Sequence, residues 1–129
     1  MSENYISTIA KEKIYPIIRC KDAEETIEIA KALVDGGIKV LEINVENPSI
    51  YGAIKEVSKF ATVCAGGIIT HTQADYAFRN GAKLFASPIF QMYLVKISKN
   101  LGIPFIAGTT TANEAYSAWK SRIPLIKIN

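Results

Sequence analysis

Two charged side chains interrupt apolar runs, where an unpaired charge would be costly: Glu42 in "KVLEINV" (39–45) and Lys127 in "IPLIKI" (123–128). A lysine and a carboxylate facing one interior cavity suit imine chemistry. An amine attacks a ketone only in its neutral form, and desolvation in an apolar pocket favours that form. A carboxylate within reach then moves protons during carbinolamine dehydration and at the enamine carbon. Spacing alone leaves two other readings of Lys127 open: one half of a buried ion pair, or an exposed lysine.

Other polar residues fall near the ends of apolar runs. Arg19 lies near the end of "IYPIIRC" (14–20), Asn44 follows Glu42 by two, and Ser87 sits in "KLFASP" (83–88). Strand alternation puts Glu42 and Asn44 on one face, with Leu41 and Ile43 opposite, and Lys127 on the face of Leu125. "CAGGIIT" (64–70) is a glycine-rich turn that fits neither a dinucleotide fingerprint nor a P-loop, and a tight turn accounts for it. "AGTTTANE" (107–114) offers amides and hydroxyls at a helix start, a place suited to anions, and helix capping explains it equally well. His71 reads as a surface residue, and Trp119, at helical spacing from Tyr116 and Ala115, as a core residue.

The elements that would carry these residues repeat. Six apolar runs of strand length recur every 20 to 25 residues or so, the period of β–α units. A helix start follows each of the first five. Asp22 with Glu25, Thr70 with Gln73 and Thr111 with Glu114 have capping-box spacing; Asn47-Pro48 and Ser87-Pro88 read as a cap followed by a first-turn proline. Ile27, Ala30, Leu33 and Val34 form one stripe closed by Gly36-Gly37. Alternating β and α predicts a parallel sheet with helices over it, in one domain spanning residues 1–129. In such folds functional residues gather at the C-terminal strand ends. Length alone favours a doubly wound open sheet over an eight-stranded barrel, which needs roughly 200 residues or more.

Composition narrows the classes. The chain is 49% hydrophobic and 21% charged with a net charge of +3, and its fifteen Lys and Arg are scattered, so it reads as a globular domain that does not track nucleic acid. No apolar run reaches the roughly 18 residues of a membrane span, and "MSENYISTIAKEK" lacks the pattern of a signal peptide, so a cytoplasmic protein is expected. With one histidine and no C-x-x-C pair, no metal site is expected, and Cys20 and Cys64 read as small buried hydrophobes.

Taken in order, "YPIIR", "AKALVDGGIKVLEINVENP", "CAGGIITHTQADYAFRNGAKLFASP", "GIPFIAGTTTANEA" and "LIKI" resemble the 2-keto-3-deoxy-6-phosphogluconate (KDPG) and 4-hydroxy-2-oxoglutarate aldolase family. The resemblance implies a (β/α)8 TIM-barrel lineage, incomplete here with about six parallel strands and five helices. It implies a class I aldolase without a cofactor, usually a trimer, that cleaves a 2-keto-3-deoxy sugar acid to pyruvate and an aldehyde. Lys127 would be the Schiff-base lysine and Glu42 the general acid/base. Arg19, Asn44, Gly66, Gly67, Ser87 and Thr111 would bind substrate. Three positions depart from the family pattern. Glu46 stands where some members hold the substrate carboxylate with an arginine, Gly67 replaces the threonine of "GAGT", and Ala107 replaces the proline of "PG". The family continues past its lysine with "FPA" and two further strands whose loops hold phosphate. A chain ending at Asn129 is expected to leave an open edge. It would then have reduced activity, gain cover from other copies, or pack as an open sheet. The alternative function is a non-catalytic binding or assembly module of the same lineage, and a weaker rival is an unrelated flavodoxin-like binding domain.

Overall fold

Each of the six apolar runs becomes a strand: β1 (Ile17–Ile18), β2 (Val40–Asn44), β3 (Thr62–Gly66), β4 (Leu84–Ser87), β5 (Phe105–Thr109) and β6 (Leu125–Ile128). Between them run α2 (Ala23–Asp35), α3 (Ile50–Val57), α4 (His71–Arg79), α5 (Met92–Leu101) and α6 (Ala112–Lys120). The computed structural model describes residues 4–45 and 47–129. All neighbouring strands pair in parallel, in the order β1-β2-β3-β4-β5-β6.

That order decides between the two architectures. A doubly wound sheet reverses direction partway and leaves its first strand inside. Here every new strand adds beyond the last, as in a barrel. The sheet also curls. Were it flat, β2 and β6 would stand about 19 Å apart, four spacings of about 4.8 Å. Yet the side chains of Glu42 on β2 and Lys127 on β6 meet at 2.7 Å. The result is a half-barrel of six strands, and the open sheet favoured by length is overturned.

Two caps form as full reciprocal boxes. The Thr70 hydroxyl accepts from the Gln73 amide while Gln73 reaches back, and Thr111 and Glu114 do the same. Asp22 accepts from the Glu25 amide at the start of α2. The two proline-marked starts lie later than their spacing predicts. Asn47 accepts from the Ser49 amide within a turn, so α3 begins at Ile50; Ser87 accepts from the Ile89 amide, so α5 begins at Met92. In both, the side chain expected to cap a helix closes a tighter local turn.

Helices cover the outer face of the sheet. Leu41, Ile43, Val63, Ala65, Phe85 and Phe105 pack there with Ile50, Ile54, Val57, Ala77 and Leu94. The inner face has an apolar floor of Val40, Cys64, Leu84, Ala86 and Ile106, closed by Ile9 with help from Tyr5, Ile6 and Tyr15. Ile9 belongs to α1 (Tyr5–Glu12), a sixth helix where the spacing signals predict five. Its eight residues, capped by Asn4, are too few to show a period. A second correction concerns Trp119, which is 67% exposed and touches Tyr116 rather than the core.

Candidate active site

The inner face carries the polar residues above its apolar floor. Alternation along β2 turns Glu42 inward, and parallel register sets it beside Cys64 of β3 and Ile17 of β1. Glu42 is 2% exposed, a cost that only paired partners offset. It has two. The Lys127 ammonium donates to Oε1 at 2.7 Å, and the Tyr15 hydroxyl donates to the same oxygen at 2.8 Å. The Lys127 Nζ also lies over the Tyr15 ring, 5.4 Å from its centroid.

Glycine makes the space. A methyl group on Gly66 would overlap the other carboxylate oxygen, Oε2. Gly66 therefore acts on Glu42 by lacking a side chain. Gly67 follows with φ of +76°, a left-handed conformation, and a Cβ there would press on Asn44 at 3.1 Å. The threonine of the "GAGT" pattern would be strained at this place.

A cavity of about 260 Å³ opens at the C-terminal strand ends, lined by Arg19, Glu42, Asn44, Gly67, Ser87 and Lys127, with Ala86, Pro88 and Asn129. Five separate strands or their ends thus bring six of the eight anticipated residues around one space. Gly66 stands under Glu42 as described. Thr111 does not join them: its hydroxyl is engaged in the α6 cap with Glu114. Glu46 lies outside the described residues. His71 is exposed, as anticipated. Among the described residues no three His, Cys, Asp or Glu side chains gather as metal ligands would, and no helix is long and apolar enough to cross a membrane.

Tyr15 is the participant that spacing missed. Its signal was alternation: Tyr15, Ile17 and Arg19 share a parity, so a residue just before β1 faces the same interior as Arg19. Burial, with the Cys64 thiol and the Glu42 carboxylate close by, pushes the Tyr15 phenol far above its ordinary range. Burial and the Glu42 carboxylate likewise push the Cys64 thiol up, so both groups stay protonated. The arrangement is one amine, one carboxylate and one phenol donor over an apolar floor, with an arginine and amide at the mouth.

A family model described as KDPG and KHG aldolase matches residues 5–128. The KHG/KDPG aldolase of Escherichia coli K12 is 32% identical over 111 residues, covering 84% of this chain and 52% of its own. The chain superposes on a 4-hydroxy-2-oxoglutarate/2-dehydro-3-deoxyphosphogluconate aldolase from TTHB1 with a TM-score of 0.84 at 21% identity, covering 95% of this chain and 62% of that one. It also superposes on KDPG aldolase from Legionella pneumophila, with pyruvate captured as a covalent carbinolamine, at a TM-score of 0.73 and 28% identity, covering 82% and 53%. The chain thus spans about half the length of the curated relatives it matches. With the family match running over nearly all its residues and the strands in barrel order, this chain belongs to the KDPG and KHG aldolase family.

Proposed function

We propose that the chain carries the amine and acid/base groups of a class I aldolase acting on a 2-keto acid. The single observation that supports this best is the 2.7 Å approach of Lys127 to Glu42 over an apolar floor at the C-terminal strand ends. In this reading Lys127 passes a proton to the carboxylate and attacks the C2 carbonyl of pyruvate or a longer 2-keto acid. The carbinolamine hydroxyl leaves as water with a proton from Glu42, giving an iminium. In cleavage, the base removes the proton of the C4 hydroxyl, the C3–C4 bond breaks, and the electron pair moves into the enamine as aldehyde departs. Glu42 then returns a proton to C3, and water releases pyruvate from Lys127. Arg19 at the cavity mouth supplies a cation for the substrate's carboxylate. The relative trapped with pyruvate as a carbinolamine supports the first of these steps by kinship.

The test is covalent trapping. Incubation of the full chain with pyruvate and borohydride, followed by intact mass and peptide mapping, is expected to place one reduced pyruvyl group on Lys127. Lys127→Ala should abolish it. Failure to form the adduct at saturating pyruvate would overturn this reading and favour the second one, a non-catalytic binding or assembly module. The exposed Tyr116 and Trp119 pair on α6 is the observation on that side.

A further inference from the structure

We infer that Tyr15 is the positioning residue of this site: its phenol holds Glu42 Oε1 and its ring underlies Lys127 Nζ, so that the carboxylate keeps a partner while the amine reacts. This rests on the aldolase reading of the same site for its purpose, and on geometry for its existence.

The argument begins with Glu42. Its side chain is 3% exposed, and its cationic partner is the 26% exposed Lys127. A carboxylate this buried is tolerable only while its charge is met. Imine chemistry moves that partner: once it has passed its proton to the carboxylate, the lysine nitrogen turns from Oε1 toward a carbonyl carbon, and the carboxyl is charged again after it protonates the departing hydroxyl. Through both steps the hydrogen bond to Oε1 from Tyr15, at 2.8 Å, is the one among those seen between described residues that can stay in place. Nothing in the reaction consumes it.

Tyr15 suits that task in three ways. It stands just before Pro16, whose fixed φ and carbonyl tie the segment to β2 through the Glu42 amide at 2.9 Å. Its side chain packs against the inner-face cluster that includes Ile9, Cys64 and Ile106. And burial favours the protonated phenol, so Tyr15 serves the carboxylate as a donor rather than as a base. The titratable and charged groups facing Glu42 are Tyr15, Cys64 from β3, Lys127 from β6 and Arg19 past β1, with α1 contributing Tyr5 to the same inner cluster. Of these, Tyr15 and Lys127 are the two seen to donate to the carboxylate.

The phenol donor fixes Glu42 Oε1, so removing it frees the carboxyl to turn. The test is Tyr15→Phe, which keeps the ring under Lys127 and deletes one oxygen. Two readouts are compared with wild type. The first is pyruvyl-adduct formation, whose maximal rate should fall about tenfold with half-saturating pyruvate little changed. The second needs no substrate: the ¹³C resonance of the Glu42 carboxyl carbon at one fixed pH, which should move when the phenol donor is lost. Coincident resonances in the two proteins would overturn the inference even if wild type forms its adduct. A moved resonance without any wild-type adduct would uphold the hold of Tyr15 on Glu42 and bring down the aldolase reading instead. Should Tyr15→Phe fail to fold, the unmodified chain decides. A slowly exchanging Tyr15 hydroxyl proton correlated with the Glu42 carboxyl carbon supports the inference, and a solvent-averaged hydroxyl overturns it.

Discussion

The β3–α4 and β5–α6 units are written in one local code and covered differently. Each strand is buried along its length or nearly so, and each helix has nine residues and a threonine-led capping box. α4 then lies between two neighbours and buries Ala74 and Ala77. α6 buries Ala118, while Tyr116 and Trp119 stand 59% and 67% exposed. The strand after it, β6, pairs with β5 alone among the described residues and is half-buried, with Ile128 at 74% exposure. Local signals therefore start a helix, and tertiary cover decides what that helix is worth. The consequence for the site is an asymmetry. Glu42 stands in the well-covered centre, between β1 and β3, and Lys127 stands on the thin edge.

Core truncation should expose that asymmetry most strongly. Ile54 on α3 is fully buried in the main core, so Ile54→Ala is expected to cost about 3 kcal/mol. Trp119→Ala, a larger deletion at an exposed place, should stay within about 0.5 kcal/mol. Urea unfolding of both variants measures the two. Comparable losses would mean that Trp119 is covered in solution, and the contrast between centre and edge would collapse.

A second break is aimed at the acid. Gly66→Ala places a methyl group where Glu42 Oε2 now lies. The carboxylate must swing away, and a misplacement of about 1 Å can cost on the order of a hundredfold in rate. Adduct formation, followed by borohydride quenching over time, should slow by about that factor. The overlap takes in Cγ and Cδ as well as Oε2, all side-chain atoms, so the Glu42 side chain as a whole must turn while none of these nearest atoms is backbone, and circular dichroism of the variant is expected to show the fold kept. An unslowed reaction would show that the carboxylate's present position is immaterial to the amine.

How far the sequence disclosed all this differs between fold and site. Strands and most helices were legible, because apolar runs bounded by Gly, Pro and capping residues are local features. Three things were not. The sheet's curl depends on strand order, and the apolar runs carry no record of order; the family resemblance supplied what periodicity could not. α1 was too short to show a period. Tyr15 looked like one more aromatic in an apolar run, since its hydrogen bond to Glu42 spans 27 positions. Thr111 was legible in two ways at once: its spacing to Glu114 reads as a capping box, the resemblance assigns it to substrate, and the structure shows its hydroxyl in the cap. Polar residues on strands Glu42 and Lys127 were found because charge in an apolar strand demands a partner, and a demand of that kind is visible without coordinates.

The smallest effect comes from the one chemical difference between the two boxes. In α4 the reaching side chain is Gln73, which accepts from the amides of Ile69 and Thr70. In α6 it is Glu114, which accepts from those of Thr110 and Thr111 and from the Thr111 hydroxyl. The backbone amides of Thr111 and Thr110, and then the Thr111 hydroxyl, hold the Glu114 carboxyl below its ordinary value. A carboxyl lowered in the folded state lends its stabilisation fully above the ordinary value of about 4.3, and loses it as pH falls through the lower folded value. Gln73 has no such window. Between about pH 5 and 2, while the circular dichroism still shows a folded chain, the amide resonances of Thr110 and Thr111 should shift and exchange faster, and those of Ile69 and Thr70 should not. Glu114→Gln should silence the α6 response, and Gln73→Glu should create one in α4. If both boxes respond alike in wild type, the acid sensitivity belongs to the whole fold, and the caps are equivalent in charge as well as in form.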